Sequence, residues 1–397
     1  MVAKALKDRN VAVDARFLKN KGIGISRYLA QSVNDLIEAG ANVTLLLDDS
    51  RWHAELSADY PDAAIAHLPG SSRFMWEQFA LFRHLRAADY DVFIAPANYG
   101  LPLGYRGRTR LILMVHDVIP LRLPRQHLLS RPIWAAFYLV STFIAVTKAH
   151  WIVTVSHSSA RDIARLLRRK QVSIVFPRIT QPYGKGQDVG KSLTEDFGDY
   201  FVYNGGADPR KNVPMLLRAM ALLTNQAPTA QLVILGTGYD SFKQLITNLN
   251  ISDHVHLLGY VSESRKAEIL SGAVGLVYPS SYEGFGMPLI EGMAAGIPVI
   301  TGTGGSLAEV GGSAVSYVQP LNKQRLASAM LEATKEPARA AARTAGQKRL
   351  AELMRQQEET GLADVVAAVL AGQARPLMVN VTPLCPTFII QGVLPVT

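Results

Sequence analysis

Hydrophobic positions in this chain fall into short continuous runs, each closed by a turn residue and separated by stretches with helical spacing. Val11-Ala12-Val13-Asp14, Val43-Thr44-Leu45-Leu46-Leu47, Asp91-Val92-Phe93-Ile94-Ala95-Pro96 and Leu111-Ile112-Leu113-Met114-Val115 predict buried strands, as do segments 151–155 and 172–176. The second half repeats the pattern at 200–203, 231–238 with its glycine turn, 256–261, 274–278 and 298–301. After the first strand, Gly22-Ile23-Gly24 makes a loop, with Ser26 as the expected N-cap of an amphipathic helix through Leu36. Strands alternating with helices predict an α/β fold with doubly wound sheets. Pro177–Lys191, rich in Pro, Gly and Gln, reads as a linker between a domain at 1–180 and another at 192–372. Residues 322–372 predict helices, and no role is assigned to the charge-poor tail at 373–397. Ile133–Val146 is apolar apart from Ser141 and Thr142, but falls short of the roughly 20 residues that span a bilayer. It predicts a buried helix.

The densest chemistry lies in Pro279-Ser280-Ser281-Tyr282-Glu283-Gly284-Phe285-Gly286-Met287-Pro288-Leu289-Ile290-Glu291, which follows a strand. Pro288 suits a first helical turn, Gly296 the residue past the end, and Pro298 stops continuation. Glu291 is expected in the first turn and Glu283 in the loop before it, so that two carboxylates converge near one helix N-terminus. The amides of Gly284, Phe285 and Gly286 lie between them, and free amides at a helix start bind phosphate. A carboxylate beside phosphate needs another partner, and sugar hydroxyls fit its acceptor oxygens. A phosphate flanked by two polyols is a nucleotide sugar.

The pattern Pro-Ser-x-Tyr-Glu-Gly-Phe-Gly-x-Pro-x-x-Glu resembles the signature of retaining glycosyltransferases of the GT-B fold, in particular glycosyltransferase family 4. The resemblance implies two Rossmann-like domains facing across a cleft, with the donor bound mainly to the second and the acceptor to the first. It implies that Glu291 holds the ribose hydroxyls and that Glu283 lies by the transferred sugar and phosphates. Trp76-Glu77-Gln78 and His116-Asp117-x-Ile119-Pro120 are similar to bacterial polysaccharide glycosyltransferases, many of them mannosyltransferases.

Other segments take roles in that frame. His116-Asp117 follows a strand, the end of an α/β sheet where ligands bind, and the resemblance gives His116 a place beside the donor sugar. Gly205-Gly206-Ala207-Asp208-Pro209-Arg210-Lys211-Asn212 follows another strand, and its paired cations suit a diphosphate, Lys as a point charge and Arg as a fork. Many relatives carry a further Arg after the first glycine; here Gly206 and Ala207 stand there, and Arg210 is left to supply that role. The loop with Gly24 is implied to face the diphosphate, and the strand ends with Gly236, Tyr260 and Val261 to border the nucleobase. Ser306-x-x-Glu309 reads as a capping box. His157 is assigned to an ordinary capped helix start.

Composition narrows the partners. Half of the residues are apolar (48%) and 18% are charged, as in a globular protein able to bury two cores. The one cysteine, Cys385, excludes a disulfide framework and a cysteine zinc site. The first ten residues lack an apolar signal core. Net charge is +9, and the excess lies in residues 1–183, with 24 Lys+Arg against 14 Asp+Glu. That half would attract an anionic membrane surface or a pyrophosphate-linked acceptor. Nucleic acid is not expected, because no aromatic residues interleave with the charge. Asp89-Tyr90-Asp91 matches a metal-binding Asp-x-Asp but precedes a strand, the wrong end for a site, so no metal or other cofactor is expected.

These readings combine into a retaining hexosyltransferase, cytoplasmic or peripheral at the inner face of the plasma membrane. The expected donor is GDP-mannose, with UDP-glucose or another UDP-sugar as the alternative. The expected acceptor is a saccharide or lipid-linked saccharide in surface polysaccharide synthesis. Two other classes stand against it: an inactive GT-B binding scaffold, and an NAD-dependent oxidoreductase. The latter is disfavoured because Arg27 replaces the third glycine of Gly-x-Gly-x-x-Gly.

Overall fold

The computed structural model describes residues 6–19, 24–122, 132–179 and 197–374. Thirteen strands are present among them: β1 Asn10–Asp14, β2 Asn42–Leu47, β3 Ala64–His67, β4 Val92–Ala95, β5 Arg110–Met114, β6 Trp151–Thr154, β7 Val172–Ile174, β8 Tyr200–Asn204, β9 Gln231–Leu235, β10 Val255–Gly259, β11 Gly275–Tyr278, β12 Val299–Thr301 and β13 Ser316–Tyr317. They form two all-parallel sheets, ordered β3-β2-β1-β4-β5-β6-β7 and β10-β9-β8-β11-β12-β13. In each sheet the order reverses beside the first strand, so Val11 pairs with both Val43 and Val92, and Leu276 with both Val202 and Val299. A switch point of this kind opens a crevice at the carboxyl ends of the central strands. The apolar runs form the centres of the sheets because parallel strands covered on both faces leave no side for water; Phe93, Ile94, Ile112, Phe201, Val202 and Val277 are fully buried.

Two strands lie outside the runs. β3, Ala-Ile-Ala-His, is a short, partly exposed edge strand, and β13 has two residues. The expected strand at 256–261 ends at Gly259, whose φ of +70° turns the chain before Tyr260 and Val261. Ser26 is not an N-cap. The helix Gly24–Glu38 begins two residues earlier and buries Ser26 on its inner face. The helix Pro132–Lys148 departs most from expectation. Ala135, Tyr138, Ala145 and Val146 are buried, but Ile133, Val140 and Phe143 are 87%, 60% and 60% exposed. An apolar helix reads as buried all round, whereas this one covers the sheet with only one face. No helix among the described residues is long and apolar enough to cross a membrane.

The chain returns to its first half at the end. Glu336–Glu359 packs on Met287–Ala294, and Leu362–Leu370 packs on Gly24–Glu38. Gln357 Oε1 accepts from the Ile179 amide at 3.2 Å. Most of the expected linker, and the tail from residue 375, lie outside the described residues.

Candidate active site

The loops after β8 and β11 build one cluster. β11 ends at Tyr278, Pro279 stops the strand, and Gly286 at φ +100° turns the chain into the helix Met287–Ala294. The loop so formed returns Glu283 beneath the strand end. Its Oε1 accepts from the Tyr278 hydroxyl at 2.6 Å and from Ser280 Oγ at 2.7 Å. Arg210 Nη1 meets Oε2 at 2.5 Å, and Lys211 Nζ lies 3.5 Å from Oε1. Lys211 also donates to the Tyr278 hydroxyl at 2.6 Å, and Arg210 to the Tyr282 carbonyl at 2.8 Å. Burial opposes the charge on Glu283, but Lys211 and Arg210 outweigh it and hold the carboxyl below its usual range. Burial lowers Lys211, with Glu283 as its main support. Arg210 is raised because the Glu283 carboxylate outweighs its burial. Asp208 Oδ1 lies 3.5 Å from Arg210 Nε, so the cluster sets two cations against two carboxylates.

Glu291 sits one turn deeper than expected, as the fifth residue of its helix. Its Oε2 accepts from Asn204 Nδ2 and its Oε1 from Lys266 Nζ, both at 2.7 Å, and Arg27 Nη1 of the first half stands 3.9 Å away. Glu283 and Glu291 thus face the carboxyl end of β8, one through Arg210 and Lys211 of the loop that follows and the other through Asn204, its last residue. Gly206, at φ +79° with open space at its Cβ position, donates its amide to the Tyr239 hydroxyl at 2.7 Å. Gly236, at φ +108°, ends β9 beside Tyr239. Tyr260 is 70% exposed and Val261 half-buried just past β10. Phe285 contributes backbone only, since its ring is buried 6.2 Å from that of Phe176.

His116 approaches from the first half. It follows β5, and its Nε2 lies 2.7 Å from the Pro96 carbonyl. A carbonyl only accepts, so Nε2 carries the proton and Nδ1 is left as an acceptor. Burial pushes the ring below the usual imidazole range. Asn98 orders the loop, accepting from the His116 amide at 3.2 Å and donating to the Asp117 carbonyl at 2.7 Å. The halves meet at Gly284, whose carbonyl accepts from Ser156 Oγ at 2.7 Å and Ser159 Oγ at 3.2 Å. Gly24 opens its helix with free space around it, one turn before Arg27.

The expected capping box does not form. Ser306 has helical dihedrals and donates to the Phe285 carbonyl, while Glu309 accepts from the amides of His157 and Ser158 at 2.8 and 2.9 Å. Glu309 therefore caps a helix of the other half. Asp91 accepts from Arg9 and the Asn10 amide at the amino end of the first sheet. No cluster of three or more metal-ligating side chains occurs among the described residues. Sequence reasoning passed over Tyr278, Asn204, Lys266 and Arg27. Tyr278 closes an apolar run, and Lys266 has the spacing of a solvated helical residue although it is 5% exposed.

Residues 23–178 match the Glycosyltransferase Family 4 family and residues 187–351 the Glycosyl transferases group 1 family. Among curated proteins, O-antigen chain mannosyltransferase B of Escherichia coli is 28% identical over 57% of this chain and 62% of its own length. O-antigen chain mannosyltransferase RfbU of Salmonella typhimurium is 28% identical over 56% and 65%. The chain thus spans somewhat under two thirds of these relatives. HepE of Anabaena, solved in complex with UDP and glucose, superposes with a TM-score of 0.67 at 18% identity over 89% of this chain and 98% of its own.

Proposed function

The chain is a glycosyltransferase of family 4 with the GT-B fold, and from that premise we propose that it moves a hexose from a nucleoside diphosphate sugar to an acceptor hydroxyl in polysaccharide synthesis. The observation that carries this reading is the pair Arg210 and Lys211 held against Glu283 at the mouth of the second sheet, across from His116. As the glycosidic bond of the donor breaks, negative charge develops on the diphosphate. Two cations fixed in a buried site stabilise that charge without reorganising, the kind of electrostatic term that dominates many enzymes. Glu283 stays ionised between them, and Tyr278 and Ser280 add hydrogen bonds to the same carboxylate. Glu291 has acceptor positions left beyond Asn204 and Lys266 for the ribose hydroxyls. Arg210 and Lys211 supply the counter-charge, so the reaction needs no metal. Retention of configuration follows the family resemblance. The mannosyltransferase relatives favour GDP-mannose as donor, and a UDP-sugar is the alternative.

Thermal shift against GDP-mannose, UDP-glucose and NAD tests the reading, with Lys211→Ala and Glu291→Ala beside the wild type. A ligand at a hundredfold its Kd stabilises by about 2.7 kcal/mol. The expected result is stabilisation by GDP-mannose that both variants lose. A response to UDP-glucose alone would replace the donor, and silence with every nucleotide sugar would point to the inactive scaffold.

A further inference from the structure

A second carboxylate stands beside the one read for ribose. Lys266 Nζ lies 2.7 Å from Glu291 and 2.8 Å from Glu263, so one ammonium holds the two carboxylates next to each other. Glu263 arrives there because the turn at Gly259 ends β10 and leads the chain through Tyr260 and Val261 to the helix Glu263–Gly272, which it opens. An acidic residue in a first helical turn needs no ligand to explain it, since the helix dipole favours it. What sets Glu263 apart is its outer partner. Arg27 crosses from the first half, and its Nη1 and Nη2 each meet one oxygen of Glu263 at 3.0 Å.

The two ion pairs differ in permanence. Lys266 and Glu291 are both buried, whereas the side chains of Arg27 and Glu263 are 37% and 46% exposed. A pair that open to water contributes little and exchanges readily. Glu263 is therefore the exchangeable face of the cluster, with two oxygens side by side that accept a planar fork of parallel N–H donors. Among the nucleobases guanine carries that fork. It contains a guanidine unit, and its N1–H and N2–H point the same way from neighbouring atoms, as the two Nη groups of Arg27 do. Uracil offers a single N3–H between two carbonyl oxygens, which a carboxylate repels. Adenine and cytosine each set an amino group beside a ring nitrogen that only accepts, so one of the two carboxylate oxygens would face an acceptor.

We propose that Glu263 reads the base of the donor, accepting from N1–H and N2–H of guanine in the place that the Arg27 guanidinium fills here. Lys266 ties this carboxylate to Glu291, so base and ribose are held by one rigid unit. The word donor rests on the transferase reading above. The choice of guanine rests on the fork at Glu263, independently of what the relatives use.

The test is calorimetric binding of GDP, IDP and UDP to the full chain, as wild type, Glu263→Gln and Lys211→Ala. IDP keeps N1–H and lacks only the amino group at N2. Wild type should bind GDP at least about tenfold more tightly than IDP, the worth of one hydrogen bond to a charged group, and at least about tenfold more tightly than UDP. Glu263→Gln puts an amide donor where a carboxylate oxygen stood, and the ratio of GDP to IDP affinity should fall to within about twofold. A general loss of packing would weaken both nucleotides together and leave that ratio unchanged, and the wild-type ratio needs no variant. Equal affinity for GDP and IDP in the wild type, an unchanged ratio in Glu263→Gln, or a preference for UDP would each overturn the proposal. A preference for UDP that Lys211→Ala abolishes would sink the proposal and leave the transferase reading standing; no binding of any of the three would remove both.

Discussion

Replacing Lys266 by Met tests the buried charges around Glu291 most directly. Met keeps the apolar stem and removes the ammonium, which is 2.7 Å from Glu291 and 2.8 Å from Glu263. The side chains of Lys266 and Glu291 are 6% and 8% exposed, so the pair is desolvated. Removing one partner of a buried pair costs about 3–5 kcal/mol. Glu291 keeps its 2.7 Å bond from Asn204 and a weaker attraction from Arg27, while Glu263 is half in water. The expected loss is therefore about 2–3 kcal/mol, in the range of a single hydrogen bond to a charged group. For a unit of this size that is about 4–12 °C in Tm. Urea unfolding of the wild type, Lys266→Met, Glu291→Gln and the double variant closes a cycle. The expected coupling is about 2 kcal/mol, because the double variant leaves no uncompensated charge. A loss below about 0.5 kcal/mol for Lys266→Met, or strict additivity in the cycle, would refute the argument.

Glu309→Ala removes two bonds that the second half makes to a helix start of the first, and should cost about 0.5–2 kcal/mol, as loss of a cap does. Small-angle scattering should show a larger radius of gyration, and an unchanged radius would mean that other contacts alone hold the halves. His116 gives a pH signature. Burial lowers its pKa, so as pH falls the unfolded chain takes up the proton first, and stability rises with pH across that window. The wild type should be fully stabilised above about pH 6.5 and lose stability below it, more steeply than His116→Gln. His84, His150 and His256, lowered by burial in the same way, contribute equally to both proteins. Identical pH slopes would exclude a buried neutral His116.

Parallel sheets are the easiest elements to find in a sequence, because strands covered on both faces leave unbroken apolar runs. β1, β2, β4, β5 and β8 were legible for that reason. β3 was not, because an edge strand half in water has no such run. The loop chemistry was legible where glycine and proline dictate the backbone, as around Gly286 and Pro288. Partners contributed by distant segments were not. Nothing local ties Lys266 to Glu291 or Glu309 to the amides of His157 and Ser158, 152 and 151 residues away in the chain. The helix Pro132–Lys148 misled for a related reason: composition reports how apolar a helix is, and only the sheet beneath it decides which side stays outside.

Gly284 sets a dimension of the molecule. A Cβ there would stand 2.9 Å from both the His116 carbonyl oxygen and the Asp117 Cβ. The main chain of the loop bearing Glu283 consequently rests directly against the His116 carbonyl and the Asp117 Cβ. Contact through side chains would let the gap between the halves vary with every rotamer. Here the approach is set by the absence of a Cβ at Gly284, with the short Ser156 and Ser159 hydroxyls pinning its carbonyl. Gly284 works as a shim, and the width of the space in which a sugar would change hands is gauged by the one residue that adds nothing to it.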